Sequence, residues 1–277
     1  PPADTLSIDQ VISTLEELAG EQDWRLVWLD SLLPMDQSKS IRAIISFLPI
    51  ENISTLASDS PETHFIQITN TITSESSNIS VIYVPETHIS FLAGYTTTLI
   101  APDFRSAGLF LEEPEWQITQ NAFLNGGHYL CGRCASVYAP VTLFPITTTI
   151  TPGSEPSSWE NAFIELDQKW VETLYLPSEG SQPEFLDFLR DQNIAVISTA
   201  LPPAGYNNLW AAVIQPDLST AIKEIWNSVL DNQGNSYTAL FTVTSLNEET
   251  LTPGRTVLAN QVAADLQAGL IEPLSIP

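Results

Sequence analysis

Few residues in this chain have the type and spacing to do chemistry. Cys131 and Cys134 stand in a Cys-Gly-Arg-Cys arrangement. A redox dithiol needs its first thiolate at a helix N-terminus after a strand, where backbone N–H groups stabilise the charge. This pair follows a helix-like stretch, NAFLNGGHYL, and precedes an irregular one, ASVYAPVTLFP. In an oxidising compartment two such cysteines close, so the reading is a structural disulfide that pins a local turn. Its ring is too short to stabilise much through chain entropy. His128 with the two cysteines offers three metal donors, short of the four of a structural zinc site, and no metal is expected.

The carboxylates Glu112, Glu113 and Glu115, with Trp116 beside them, follow the apolar run SAGLFL. In parallel sheets ligands bind at the carboxyl ends of strands, so these residues read either as a ligand rim or as a solvated acidic loop. Glu86 sits similarly after ISVIYV. The three histidines, His64, His88 and His128, fall in different elements, and His64 and His88 read as structural. The chain has no Gly-x-Ser-x-Gly elbow, no phosphate loop and no Gly-rich dinucleotide turn. Catalysis is therefore not expected, and no cofactor is. A hydrolase would need a nucleophile beside a base, and no histidine is placed to be one. Asn52-Ile-Ser54 and Asn78-Ile-Ser80 match the short glycosylation pattern.

Composition narrows the partners. Of 277 residues, 33 are Asp or Glu and 9 are Lys or Arg, a formal net charge of −24. Such a surface repels phosphate backbones and anionic lipids, which argues against nucleic acid. Charged residues are only 15% of the chain, so Ser, Thr, Asn and Gln carry much of the surface, as in exported proteins. No apolar run reaches the ~18 residues of a membrane span. Pro1-Pro2 reads as the end of a strand lying upstream of residue 1, or as the point where a leader was removed.

The elements that must position these residues alternate along the chain. Helical spacing is read over 8–20, capped by Ser7 or Asp4, 51–58, 86–100 with Thr87 as cap, 115–127, 157–169 with Ser157 or Ser158 as cap, 182–191, 217–230 with Asp217 as cap, and 256–268 ending at Gly269. Strands are read over 24–29, 41–48, 64–69, 79–84, 106–111, 147–151, 171–176, 194–199, 209–214 and 236–243. The strands are mostly short continuous apolar runs, the mark of parallel strands covered on both faces. About ten strands exceed what one compact doubly wound sheet comfortably holds, so two lobes are expected.

FLAGY at 91–95, followed by a strand carrying AGLF, resembles the basic membrane protein family of substrate-binding lipoproteins, which includes purine nucleoside receptors of ABC transporters. SPETHFIQI, NAFLNGG and DLQAGLIEPLSIP fall in matching order, so the resemblance runs from about 40 to 277. It implies the type 1 periplasmic-binding architecture, two doubly wound lobes that close on a ligand. Three features depart from the family pattern. The ligand loop after the family's first strand has no counterpart. Its Gly-x-Asp-x-Asp segment aligns with Ala212-Val213-Ile214-Gln215-Pro216-Asp217. Its Gly-Gly after the AGLFL strand is Glu112-Glu113-Pro114 here. The family's ligand contacts are therefore not carried over.

The combined expectation is an α/β protein of two doubly wound parallel-sheet lobes joined by crossovers. The N-terminal lobe is 1–85 plus about 220–245, and the C-terminal lobe is 86–219 plus about 246–277. The function expected is capture of a small polar solute, with a nucleoside as one class, for the permease of an ABC transporter outside the cytoplasm. The chain is expected to be a monomer, touching the membrane only through a lipid anchor upstream of residue 1. The candidate ligand residues are Phe47, Asn70, Glu86, Glu113, Trp116, Pro177, Tyr206 and Gln215. The alternative is a sensory or interaction module of the same fold with a degenerate or repurposed cleft.

Overall fold

A computed structural model of the chain describes residues 5–28, 41–47, 50, 52–71, 77–113 and 116–275. It divides into two compact units, Pro1–Pro85 with Pro216–Leu240, and Glu86–Gln215 with Phe241–Pro277.

The first unit holds α1 (Thr5–Glu21), β1 (Ala43–Ser46), α2 (Ile53–Asp59), β2 (His64–Thr69) and β3 (Ile79–Tyr83). The second holds α3 (Glu86–Ile100), β4 (Ser106–Leu111), α4 (Trp116–Cys131), β5 (Cys134–Ala135), β6 (Leu143–Phe144), β7 (Ile146–Ile150), α5 (Pro156–Asp167), β8 (Thr173–Leu176), α6 (Pro183–Asp191), β9 (Ala195–Ser198) and β10 (Trp210–Pro216). The chain then contributes α7 (Leu218–Leu230) and β11 (Ser236–Thr238) to the first unit, and finishes with β12 (Phe241–Ser245) and α8 (Pro253–Gln267) in the second.

In the first unit the sheet order is β1-β2-β3-β11, all parallel, with Ala43 opposite His64, Phe65 opposite Ile79 and Ser236 opposite Val81. Every residue of β2 is buried. Its side chains alternate between two cores, as the two-residue period of a strand requires. Ile66 and Ile68 meet Val11 and Leu15 of α1 and Ile222 and Ile225 of α7. Phe65 meets Ala57 of α2 on the other face. Two-sided burial explains why these strands read as continuous apolar runs.

The second unit's six-stranded sheet has the order β12-β10-β9-β8-β4-β7. The ladders joining β7, β4, β8, β9 and β10 are all parallel. On one face Leu109, Leu174, Val196 and Trp210 pack with Trp159 and Phe163 of α5 and Phe185 of α6. On the other, Phe110 and Tyr175 meet Phe123 of α4 at ring separations of 5.4 and 5.6 Å. Helix α3 is buried from Ile89 through Thr98. No helix among the described residues is long and apolar enough to cross a membrane.

Some sequence expectations fail locally. Residues 24–28 form no strand, and Leu29 lies outside the described residues. Asp23, at φ 56°, turns the chain over the end of α1, and the Trp24 N–H donates to the Ala19 carbonyl at 2.8 Å. Trp24 then packs 5.7 Å from the Trp226 ring of α7, half-burying its side chain without joining a sheet. The single strand expected over 236–243 is two strands in different sheets, β11 and β12, broken at Ala239-Leu240. Asp217 does cap α7, accepting from the Thr220 N–H at 2.9 Å. Ser7, Thr87, Ser157 and Ser158 lie inside their helices, not at the caps, and Asp4 is outside the described residues.

Candidate functional site

The second unit's topology contains a switch point. From β4 the chain passes through α4 to β7 on one side. It then crosses through α5 to β8 on the other side of β4, and continues outward to β9 and β10. Connections therefore diverge at β4 and β8, and the crevice outside the carboxyl ends of such a pair is where open parallel sheets bind ligands.

Polar groups line that edge. β4 delivers Glu112 and Glu113, and β8 delivers Pro177 and the 3₁₀ turn Ser178–Gly180. The Glu112 carboxylate accepts hydrogen bonds from Thr149 Oγ1 at 3.0 Å and Thr151 Oγ1 at 3.3 Å, both from the end of β7. Ser154 Oγ donates to the Thr151 carbonyl at 2.7 Å. Gln182 Nε2 donates to the Ser154 carbonyl at 3.4 Å and to the Glu179 carbonyl at 3.1 Å, and Ser178 Oγ donates to the Glu179 carboxylate at 3.0 Å. A chain of hydrogen bonds thus joins the ends of β4, β7 and β8. Exposed carboxylates, hydroxyls and an amide held this way suit a polyhydroxylated or amine-bearing solute.

The residues expected at the site fall in several places. Glu113 and Trp116 are adjacent across the start of α4, with the Trp116 N–H on the Glu113 carbonyl at 3.1 Å. Pro177 opens the 3₁₀ turn after β8, and Gln215 is the penultimate residue of β10. Glu86 opens α3 and is half-buried. Phe47 and Asn70 follow β1 and β2 in the first unit, Phe47 packed against its core and Asn70 exposed. Tyr206 lies in the connection before β10, not at a strand's carboxyl end. Its hydroxyl donates toward the Pro183 carbonyl at 3.2 Å and the Asp187 carboxylate at 3.1 Å, with the Arg190 guanidinium 5.7 Å over its ring. Burial first, then Asp187, pushes its phenol above the usual range. Glu115 is outside the described residues. The reading from sequence missed the Glu112–Thr149–Thr151 triad; the Thr147-Thr148-Thr149-Ile150-Thr151 run was its only signal.

The remaining polar candidates have structural partners. His64 is buried at the start of β2, its Nε2 2.8 Å from Ser80 Oγ and its Nδ1 3.4 Å from Asn232 Oδ1. Burial lowers its pKa, against a smaller opposite pull from Asn232. His88 stacks on Phe241 at 6.3 Å, and burial lowers its pKa against the field of Glu272. Asn78 is buried, its amide donating to the carbonyls of Ala57, Ser60 and Thr63. That sequon is a structural asparagine in the folded chain. Cys131 and Cys134 are joined as a disulfide between α4 and β5. Among the described residues no cluster of three or more His, Cys, Asp or Glu could hold a metal.

A depression of about 700 Å³ opens at the amino ends of β8, β9 and β10, lined by Glu172, Asn193, Asn208, Asn247 and Arg255. It is at the edge opposite the switch-point crevice.

No protein-family model and no curated sequence matches the chain. Solved structures do. An ABC transporter solute-binding protein from Conexibacter woesei DSM 14684 matches with a TM-score of 0.66 at 11% identity, over 98% of this chain and 95% of that one. A transcriptional activator of the comK gene from Bacillus halodurans gives 0.69 at 13% identity, over 96% of each. An ABC transporter solute-binding protein from Aeropyrum pernix K1 gives 0.63 at 13%, over 95% of this chain and 82% of that one. The fold is type 1 periplasmic-binding-like. The membership of the basic membrane protein family expected from sequence finds no matching model, and at these identities the likeness is one of fold.

Proposed function

We propose that this chain is a non-catalytic solute-binding protein. It takes a small polar solute at the carboxyl ends of its strands and passes it to the permease of an ABC transporter outside the cytoplasm. The observation that carries this reading is the hydrogen-bonded rim of Glu112, Thr149, Thr151 and Gln182 at the β4/β8 switch point. Two of the solved structures matched over nearly the whole chain are solute-binding proteins of such transporters. His64 and His88 are each engaged within the fold, His64 through Ser80 and Asn232 and His88 through the Phe241 ring. Nucleosides, the class suggested by the sequence resemblance, are the first ligands to try. The working state is a monomer that does not bind nucleic acid.

Thermal shift against nucleosides, sugars, amino acids and small organic acids tests the proposal. One class should raise the melting temperature in a saturable way, and Glu112→Ala should weaken that ligand about tenfold, the loss of one charge-assisted hydrogen-bonding group. Trp116→Ala should weaken it too; unchanged affinity would remove Trp116 from the site.

The match to a transcriptional activator favours a second reading, in which the same fold senses a ligand and signals without transport. A reconstituted permease whose ATPase rate does not respond to the liganded protein would favour it.

A further inference from the structure

The sharpest departure from the chain's acidic character lies away from the ligand rim. From Trp116 to Ser154 there is no Asp or Glu, in a chain with 33 of them. Within that stretch the β5–β6 hairpin carries a tip whose apolar side chains face solvent: Val137, Tyr138 and Val141 are 75%, 72% and 72% exposed. Trp170, 60% exposed, stands beside the tip. Both flank one guanidinium: Arg105 donates to the Tyr138 carbonyl at 2.7 Å and to the Lys169 carbonyl at 2.8 Å, and lies 5.5 Å from the Trp170 ring.

The tip is held outward by several independent bonds. The Cys131–Cys134 disulfide closes its base. Asp103 accepts from the Val137 N–H at 2.6 Å and the Tyr138 N–H at 3.3 Å, and pairs with Arg105 at 3.2 Å. Ser136 bridges the hairpin, donating to the Pro140 carbonyl and accepting from the Thr142 N–H. Exposed apolar groups fixed in place lose little conformational entropy when covered.

We propose that this tip docks the protein on a lipid bilayer: Val137, Tyr138 and Val141 enter the boundary between headgroups and acyl chains, and Trp170 lies at headgroup depth. Three properties favour lipid over protein. The exposed apolar side chains of the tip are few, Val137, Tyr138 and Val141 with Leu143 at 57% exposure, short of the ~20–30 residues a side of a stable protein interface. A hairpin tip suits insertion into a soft medium, and Tyr and Trp are the side chains that settle at membrane interfaces. The charge also fits. A carboxylate carried into a bilayer is costly; the hairpin 134–144 contains none, and Asp103 behind it is tied to the Val137 and Tyr138 N–H groups and to Arg105.

Flotation with phosphatidylcholine vesicles, with and without phosphatidylglycerol, tests this on the full chain. The wild type should float with the phosphatidylcholine vesicles. A V137S/Y138S/V141S variant should lose about tenfold in bound fraction, while its circular dichroism and denaturation midpoint stay unchanged because these side chains are solvent-exposed. Its ligand response should also be intact, which separates this result from the fate of the solute-binding reading. A wild type that stays out of both vesicle types would overturn the proposal, as would a variant that floats equally well. So would a wild-type dimer in sedimentation that the variant disperses, which would make the tip a protein interface.

Discussion

Arg105 is buried to 3% exposure at the start of β4, and its guanidinium is used on every side by Asp103, the Lys169 and Tyr138 carbonyls and the rings of Phe144 and Trp170. Val137 N–H, first, and then Tyr138 N–H and Arg105 hold the Asp103 carboxyl below the usual range, against a burial effect in the other direction. Asp103 and Phe104 sit at φ 49° and 60°, backbone that is costly for a phenylalanine and is sustained by these bonds. Arg105→Ala leaves two carbonyls without donors, and chemical denaturation should show a loss of about 2–4 kcal/mol. The histidines give a pH dependence with a definite sign. Burial lowers the folded-state pKa of both His64 and His88. As pH falls, the unfolded chain takes up these protons first, near the ordinary value of about 6.5, so stability is full above that value and declines below it until the folded-state pKa is reached. Unfolding free energy should therefore fall as pH is lowered through about 6.5, and His64→Gln should flatten part of that slope. An unchanged slope would mean that His64 is not held neutral.

At the scale of elements, α3 and α4 pack with glycine at both points of closest approach. A Cβ on Gly94 would collide with the Phe123 carbonyl, and one on Gly126 with the Phe91 carbonyl. Gly94→Ala or Gly126→Ala must push the helices apart, and each should cost about 3 kcal/mol by denaturation, where Gly254→Ala, in open space, should cost almost nothing. Elements were legible in the sequence where burial is two-sided and continuous, as in HFIQIT and SAGLFL, which form β2 and β4 at the expected limits. They were misread where the same apolar pattern is satisfied by a different partner. WRLVWL reads as a buried strand, but Trp24 and Leu26 are half-buried against the first unit's core. The 236–243 run hid a change of sheet, since β propensity does not record which sheet a residue joins. Of the rim, Glu112 and Glu113 were visible as carboxylates after a strand. The Thr149 and Thr151 partners were not, because strand order, and so which strand ends meet, is a long-range property.

For the whole molecule, the central claim is that a sheet with a polar switch-point rim, in a type 1 periplasmic-binding-like fold, binds a small solute. Ligand at about 100 times its Kd stabilises the folded protein by about 2.7 kcal/mol through mass action, enough to move the melting temperature by several degrees. The most direct measurement is a melting-temperature titration of the intact chain and of Glu112→Ala across the four solute classes. The account predicts that one class gives a saturable rise in the wild type, and that the variant needs about tenfold more ligand for the same rise. A chain whose melting temperature responds to none of the classes, or a variant that responds just like the wild type, would contradict it.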